Sequence, residues 1–247
     1  MDRSASNGVA ARDIEARVRS LHNPTRAKFV QGYFKSKPGE YGEGDQFLGL
    51  SVPQIRALAR EFRDAPLSEI DTLLSSPWHE VRLLAVVLLA NRHAKADAPT
   101  QASIYRLYLD RTDRVNNWDL VDASAPQIVG AHLLERDRAP LRRLAKSKSL
   151  WERRIAIVAT QHFIRRDQFD DTLAIAAALL DDSEDLIHKA VGWMLREVGK
   201  RDERVLIDFL DRHAADMPRT ALRYAIERLS PARRLKYMAF PRRSARR

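Results

Sequence analysis

Residues 116–124 combine an aromatic ring and a carboxylate at a spacing that allows chemistry. Trp118 and Asp122 are four residues apart, so a helix would place both on one face. An aromatic plane beside a carboxylate is an arrangement that can hold and hydrolyse a cationic nucleoside. That chemistry requires a phosphate-binding surface, and two later segments, 149–158 and 185–197, supply suitable residues. They are Arg154, Lys189, Trp193 and Arg196.

Helices must position these residues, and the chain has the apolar periodicity to build them. Apolar residues recur at helical spacing along most of the sequence, as in Ile55, Leu58 and Ala59, and no segment alternates like a strand. Prolines mark helix starts, because the ring suits a first helical turn and disfavours helix in the residue before it. The pairs of this kind are Asn23-Pro24, Val52-Pro53, Ala98-Pro99, Ala139-Pro140 and Met217-Pro218. The pattern predicts about a dozen short helices.

Four related segments each open an apolar helix and recur at similar distances. Their matching positions, 79, 118, 151 and 186, are 39, 33 and 35 residues apart. Such periods are typical of solenoids of helical hairpins, in which each helix pair buries its apolar side by stacking on its neighbours. We therefore expect an all-α solenoid that forms one helical-repeat domain over residues 1–240, followed by a basic tail over residues 241–247.

A solenoid of this kind presents equivalent positions of successive repeats side by side on its concave face. The repeat pattern therefore predicts that distant motifs contribute neighbouring side chains to one surface. These are Arg82, the turn from Trp118 to Asp122, Arg154 and Lys189.

The composition limits the classes of protein to which the chain can belong. Its 247 residues are 45% hydrophobic, which is enough to bury a substantial core. The absence of cysteine excludes a disulfide scaffold, a thiolate metal site and a cysteine nucleophile, and it favours an intracellular compartment. The longest run without a polar residue, Leu83 to Ala90, is too short to span a bilayer. We expect a soluble cytoplasmic protein without membrane contact or targeting segment.

The net charge of +10 indicates a polyanionic partner, but much of this charge lies near the C-terminus. Residues 231–247 hold seven Arg or Lys and no acidic residue. Removing these seven from the 43 basic residues leaves 36 against 33 acidic ones, or +3. A DNA-binding surface would therefore have to be a local concentration of charge. The terminal run is no evidence by itself, because such runs are more often simply solvated.

Residues 38–45 form a glycine-rich loop that carries three carboxylates and no lysine, so it does not resemble a phosphate cradle. Two interpretations stay open. The loop is either a turn-rich connector between two helices or a segment that contacts a substrate through Tyr41.

With these motifs in view, the chain resembles the AlkD-like DNA alkylation repair glycosylases, a family of HEAT-like helical repeats. The likeness runs from about residue 20 to about residue 238, and it is most specific over residues 116–125, 150–159 and 187–200. The resemblance implies that Asp122, in Trp118-Asp119-Leu120-Val121-Asp122, is the catalytic carboxylate. It also implies that Trp118 and Trp193 flank the lesion and that Arg154 grips the DNA backbone near it. Tyr33 and Tyr41 compete for the place of the family's active-site tyrosine.

The chemistry implied by the resemblance suits these residues. An N3- or N7-alkylated purine is cationic, so it leaves without protonation and no general acid is needed. One carboxylate, Asp122, can then stabilise the oxocarbenium-like sugar and position water. Trp118 and Trp193 would attract the cationic lesion through their ring faces, which selects charged adducts over normal bases.

Each of these residues also has a structural interpretation. Asp122 could be a helix-start residue, although Asp119 fits that role better. A tryptophan can simply anchor a helix pair, the role we assign to Trp78 and Trp151. Arg154 could pair with Glu152 or with another acidic residue. The charges of Lys189 and Arg196 could belong to a solvated face.

Other active sites lack their usual residues. The seven histidines form no close pair with metal-ligand spacing, so we expect no metal ion. The chain has neither a Gly-x-Ser-x-Gly elbow nor a P-loop, and we expect no cofactor.

We therefore expect a monomeric DNA N-glycosylase that removes cationic N3- or N7-alkylated purines from duplex DNA in base excision repair, at the nucleoid in the cytoplasm. The expected catalytic residues are Asp122, Trp118, Trp193 and Arg154, and the expected DNA-binding residues are Arg56, Arg154, Lys189, Arg196 and Tyr33. A non-catalytic module for damaged or branched DNA and a protein-interaction scaffold remain the alternatives.

Overall fold

A computed structural model describes residues 9–240, which divide into two compact units with the boundary after Ser124. Both units consist of helices and connecting turns. Over residues 9–240 there is no strand, and extended pairing is limited to one isolated bridge between Gln46 and Trp78. The predicted all-α class is confirmed. The single domain over residues 1–240 stays a prediction, and the basic tail over residues 241–247 lies outside the described residues.

The first unit is built around one helix that is buried on nearly every side. In chain order its helices are α1 (Ala11–Arg19), α2 (Pro24–Tyr33), α3 (Val52–Glu61), α4 (Leu67–Leu74), α5 (His79–His93), α6 (Ala98–Asp110) and α7 (Trp118–Ala125). Helices α1, α3, α4 and α6 all contact α5. Residues 83–90 of α5 are wholly apolar, and a helix that is apolar all round must be surrounded.

The second unit has the same plan around a longer helix, α13. After a π-helical turn (Pro126–Gly130) come α8 (Ala131–Leu133), α9 (Ala139–Leu144), α10 (Leu150–Ala159), α11 (Gln161–Ile164), α12 (Asp170–Ala178), α13 (Asp185–Arg201), α14 (Glu203–His213), α15 (Arg219–Ala225) and α16 (Pro231–Met238). Helices α10, α11, α12, α14 and α15 contact α13.

The predicted helix starts are confirmed. Pro24 is the first residue of α2, and the other four predicted prolines lie within one residue of a helix start. In α3, α6 and α9 the residue before the proline is already helical. A first-turn amide has no intrahelical acceptor, so proline there removes no hydrogen bond. The four repeated segments also lie where expected, in the first turns of α5, α7, α10 and α13.

Helices α13 and α15 approach so closely at Gly192 that a side chain there would collide. A Cβ would lie 2.4 Å from the carbonyl oxygen of Ala221 and 2.5 Å from the Cβ of Tyr224. Gly192→Ala is therefore expected to lower the free energy of unfolding by about 1–3 kcal/mol, measured by urea denaturation. The matched control is Gly32→Ala on α2, where an added Cβ meets no atom within 4 Å. It should raise stability by about 0.5–1 kcal/mol, and equal effects of the two variants would contradict the close approach.

Candidate functional site

Helix α7 places Trp118 and Asp122 on one face, as their spacing predicts. Trp118 is the first residue of α7 and Asp122 the fifth, one turn later. Both side chains are partly buried. Burial raises the pKa of Tyr108 well above its usual value, and the nearby negative charge of Asp122 adds to this shift. Asp122 thus lies beyond the first turn, and the helix-start position is held by Asp119 instead.

Trp118 belongs to an aromatic cluster, which consists of Tyr33, Phe34, Phe47, His79 and Trp118. The other rings of the cluster cover one face of the Trp118 indole. The Phe34 ring stacks on Trp118 with centroids 5.2 Å apart and on Phe47 at 5.3 Å. The His79 ring lies 4.8 Å from Phe34 and 4.9 Å from Phe47. Phe34 and Phe47 are buried, so Trp118 rests on the hydrophobic core of the first unit. Such support holds the indole plane in one orientation.

Tyr33 marks the solvent-facing edge of the aromatic cluster. Its ring is 6.1 Å from Trp118, nearly perpendicular to it, and the residue is 60% exposed. Tyr41 is partly buried in the loop that joins α2 to α3. Tyr33 therefore combines exposure with direct contact to Trp118.

Beneath the aromatic cluster lies a buried ionic network, which consists of Asp45, His79, Arg82, Asn117 and Asp119. The Asp45 carboxylate accepts hydrogen bonds from Arg82 Nη2 at 2.5 Å, His79 Nδ1 at 3.2 Å and Asn117 Nδ2 at 3.1 Å. His79 Nε2 is 2.8 Å from Asp119 Oδ2, in the first turn of α7. The side-chain oxygen of Asn117 accepts from the backbone N–H of Trp118 at 2.8 Å. The network thus joins the loop over residues 38–45, α5 and the start of α7.

The charges of this network stabilise one another. Burial opposes the charged form of His79, but attraction to Asp119 and hydrogen bonds to Asp119 and Asp45 outweigh it and raise the pKa of His79 to about 9. Burial likewise opposes ionisation of Asp45, yet the bond from His79 and the charge of Arg82 lower its pKa below the usual value. His79 is therefore a cation at neutral pH, and both of its ring nitrogens donate.

Glu80, the residue after His79 on α5, binds backbone N–H groups of the connection between α2 and α3. Its carboxylate accepts from the N–H groups of Leu48, Gly49 and Leu50 at 2.9, 2.7 and 3.2 Å. Gly49 has a positive φ of 79°, and a Cβ there would lie 2.5 Å from the carbonyl oxygen of Asn23, so only glycine fits. The connector interpretation of residues 38–45 thus agrees with a loop anchored at Asp45.

The sequence pattern did not predict the roles of Asp45, His79 and Glu80. A usable signal was present, because His79, Glu80 and Arg82 are charged or polar residues directly before the wholly apolar stretch 83–90 of α5. Charges on a fully buried helix must find partners. The expectation for Arg82 is wrong: it was placed on a concave face, but it is 2% exposed and paired with Asp45.

The free energy of unfolding is expected to fall as the pH rises from neutral to about 10. A histidine side chain ordinarily has a pKa of 6.5, whereas the pKa of His79 in the folded chain is about 9, so folding favours the protonated ring. The resulting stability is fully present below pH 6.5 and is lost as the pH rises through 9, by about 3 kcal/mol in total. Urea denaturation across this range measures it. His79→Gln should flatten the profile, and a wild type with constant stability would contradict the assignment.

Arg56, which we expected to bind DNA, is exposed on α3 in the first unit. Trp78 precedes α5 and lies 5.6 Å beneath the guanidinium of Arg19. This contact agrees with a structural role for Trp78.

The second unit holds the other four predicted residues. Arg154 on α10 is 5% exposed, and its Nη1 donates to the carbonyl oxygen of Leu186 in the first turn of α13 at 2.6 Å. Trp193 is partly buried on α13. Lys189 forms an ion pair with Asp185 at 2.8 Å, and Arg196 pairs with Glu227. The assembly of these residues with Trp118 and Asp122 into one site stays a prediction.

Within residues 9–240, no group of three or more His, Asp or Glu side chains is placed to hold a metal ion. None of the helices described there combines the length and apolar character needed to cross a bilayer.

Known proteins give an independent comparison. A sequence model of the family described as "DNA alkylation repair enzyme" matches residues 14–229. A solved structure described as a predicted DNA alkylation repair enzyme from Enterococcus faecalis is similar to this chain, with a TM-score of 0.67 and 19% sequence identity. The match covers 85% of this chain and 98% of that one. At this identity the likeness shows a common fold. No curated protein matches the sequence.

Proposed function

Because this chain belongs to the DNA alkylation repair enzyme family, we propose that it is a DNA N-glycosylase for cationic N3- or N7-alkylated purines in duplex DNA. One observation carries the proposal. The partly buried Asp122 carboxylate lies one helical turn from Trp118, whose ring is held by stacking on Phe34. The pair offers a fixed aromatic plane and a negative charge on one face of α7.

The reaction requires little from the protein because the lesion is already a good leaving group. The bond between C1′ of the deoxyribose and the purine nitrogen breaks, and its electron pair neutralises the departing cationic base. Asp122 stabilises the positive charge that develops on the sugar. Water then adds to C1′, and its proton passes to the Asp122 carboxylate.

Trp118 selects the substrate by its electron-rich face. A cationic base or sugar over the indole gains about 0.5–2 kcal/mol that a neutral base does not. Phe34 covers the other side of the indole and the tilted His79 ring packs against Phe34, so the indole does not have to be ordered when DNA binds. Tyr33, exposed beside Trp118, is the tyrosine that we place against the DNA.

Arg154 and Trp193 enter the proposal on the family resemblance alone. Arg154 is buried, so it would have to leave the Leu186 carbonyl to which it now donates before it could bind a phosphate. Arg56 contributes an exposed charge that can bind phosphate directly. Lys189 and Arg196 are weaker candidates, because their charges are already balanced by Asp185 and Glu227. A phosphate would have to displace those carboxylates.

The test is release of free base from N-methylpurine-treated duplex DNA by the wild-type protein under single-turnover conditions, with DNA binding measured in parallel. We expect release of methylated purine, and no release from the untreated duplex. Binding without release would instead indicate a non-catalytic module for damaged DNA. Absence of binding at low salt would overturn both and favour a protein-interaction scaffold.

A further inference from the structure

An open groove of about 460 Å³ lies between α15 and α16 in the second unit, and none of the predicted site residues lines it. Its apolar lining comes from Ile226, Pro231, Leu235 and Met238. Leu235 is 73% exposed. A single exposed leucine is ordinary on a protein surface, but this one adjoins the other apolar side chains of the groove and two arginines that line it.

Helix α16 is nevertheless firmly docked, so the exposure of Leu235 is not a consequence of a loose terminal helix. Tyr237 is 1% exposed, and its hydroxyl donates to Asp211 Oδ1 at 2.8 Å. Lys236 bonds the same carboxylate at 3.2 Å, and Arg233 pairs with Glu203 on α14. These contacts hold one side of α16 against the unit and leave the Leu235 side open.

Two arginines line the same groove without a partner. Arg223 and Arg234 are exposed, and among residues 9–240 neither takes part in an ion pair. The other cations of α16, Arg233 and Lys236, are both neutralised by acidic residues of α14. Glu227, close in sequence, is used by Arg196. The groove therefore combines an apolar floor with two positive charges that nothing in the described chain balances.

We propose that this groove binds an acidic, apolar peptide segment of a partner protein. One or two large aliphatic or aromatic side chains of the peptide cover Leu235 and fill the groove, and adjacent Asp or Glu side chains pair with Arg223 and Arg234. Arginine suits this use because its planar fork binds a carboxylate through two parallel hydrogen bonds. The apolar contact supplies affinity and the charges supply orientation.

Charge and shape argue against the other occupants. Residues 241–247, Pro-Arg-Arg-Ser-Ala-Arg-Arg, carry four arginines, no acid and no large apolar side chain, so their composition does not match an acidic, apolar occupant. Duplex DNA would satisfy the arginines but would leave Leu235 against a polar backbone.

The test uses the full-length protein and fluorescence anisotropy with labelled synthetic peptides. Each peptide carries Asp-Asp-Glu followed by Leu-Leu, Leu-Phe, Ile-Phe or Trp-Leu. We expect at least one to bind with a Kd below about 1 mM, and to bind at least about tenfold more weakly when its apolar pair is replaced by Ser-Ser or its acids by amides. Leu235→Ser and Arg234→Gln should each weaken binding at least about fivefold. Arg204→Gln, an exposed position on α14, is the matched control and should leave binding unchanged.

Four results would overturn the proposal. The first is failure of every peptide to bind, and the second is equal binding of the peptide whose apolar pair is replaced by Ser-Ser. The third is loss of duplex DNA affinity in Leu235→Ser, and the fourth is a self-associated wild type that Leu235→Ser converts to monomer. The third would assign the groove to DNA and the fourth to a second copy of this chain. Base release by Leu235→Ser is expected to match the wild type, so the outcome does not depend on the proposed glycosylase activity.

Discussion

Asp122→Asn is expected to bind alkylated duplex DNA as the wild type does and to release methylated purine at least about 100-fold more slowly. The substitution keeps the size and shape of the side chain on α7 but removes the negative charge. The charge is needed only as the sugar becomes cationic, so its loss raises the barrier to bond cleavage more than it weakens binding. Single-turnover release of free base and a parallel DNA-binding titration measure the two effects separately.

The matched control is Asp113→Asn, which removes one acidic charge from an exposed turn shortly before α7. It should release base at the wild-type rate, which would show that a general change in charge is not the cause. Far-ultraviolet circular dichroism of both variants checks that the helices are retained. Release by Asp122→Asn within about threefold of wild type would remove Asp122 from the chemistry, since a single electrostatic contributor is worth far more than that.

Asp45→Ala is expected to lower the free energy of unfolding by about 3–5 kcal/mol, the largest stability effect that we anticipate. The substitution leaves the guanidinium of Arg82, which is 2% exposed, without its carboxylate, and it removes one of the two acceptors of His79. Asn117 also loses an acceptor for its amide. Because Asn117 bonds the backbone of Trp118, base release should fall as well. Urea denaturation gives the stability, and single-turnover release gives the rate.

Glu43→Ala is the control, because Glu43 is an exposed acid in the same loop, two residues before Asp45. It should change stability by less than about 1 kcal/mol. Asp45→Asn, which keeps the shape and some hydrogen bonding, should be less harmful than Asp45→Ala and provides a folded protein if the alanine variant does not fold. A loss below about 1 kcal/mol for Asp45→Ala would mean that the ionic network contributes little, as exposed pairs do.

Features that depend on neighbouring residues were predictable. The apolar periodicity predicted helices, and the prolines and repeated segments predicted where they begin, because capping and first-turn preferences act over three or four residues. The same locality explains why Trp118 and Asp122 share one face of α7: a spacing of four is one helical turn wherever the helix lies. The resemblance to the DNA alkylation repair enzyme family was recognisable for the same reason, since its motifs lie within short segments of the sequence.

Partners distant in the chain were decided only by tertiary structure. The loop over residues 38–45 holds three carboxylates, and nothing local distinguishes Asp45 from its exposed neighbour Glu43. Folding buries Asp45 beside His79 and Arg82, which follow it by 34 and 37 residues, and this contact turns a loop acid into the centre of the ionic network. Arg82 was assigned to a surface for the same reason and is instead buried. Which charged side chains pair depends on how the apolar helices pack. The distance between two side chains in the folded protein cannot be read from their separation along the chain.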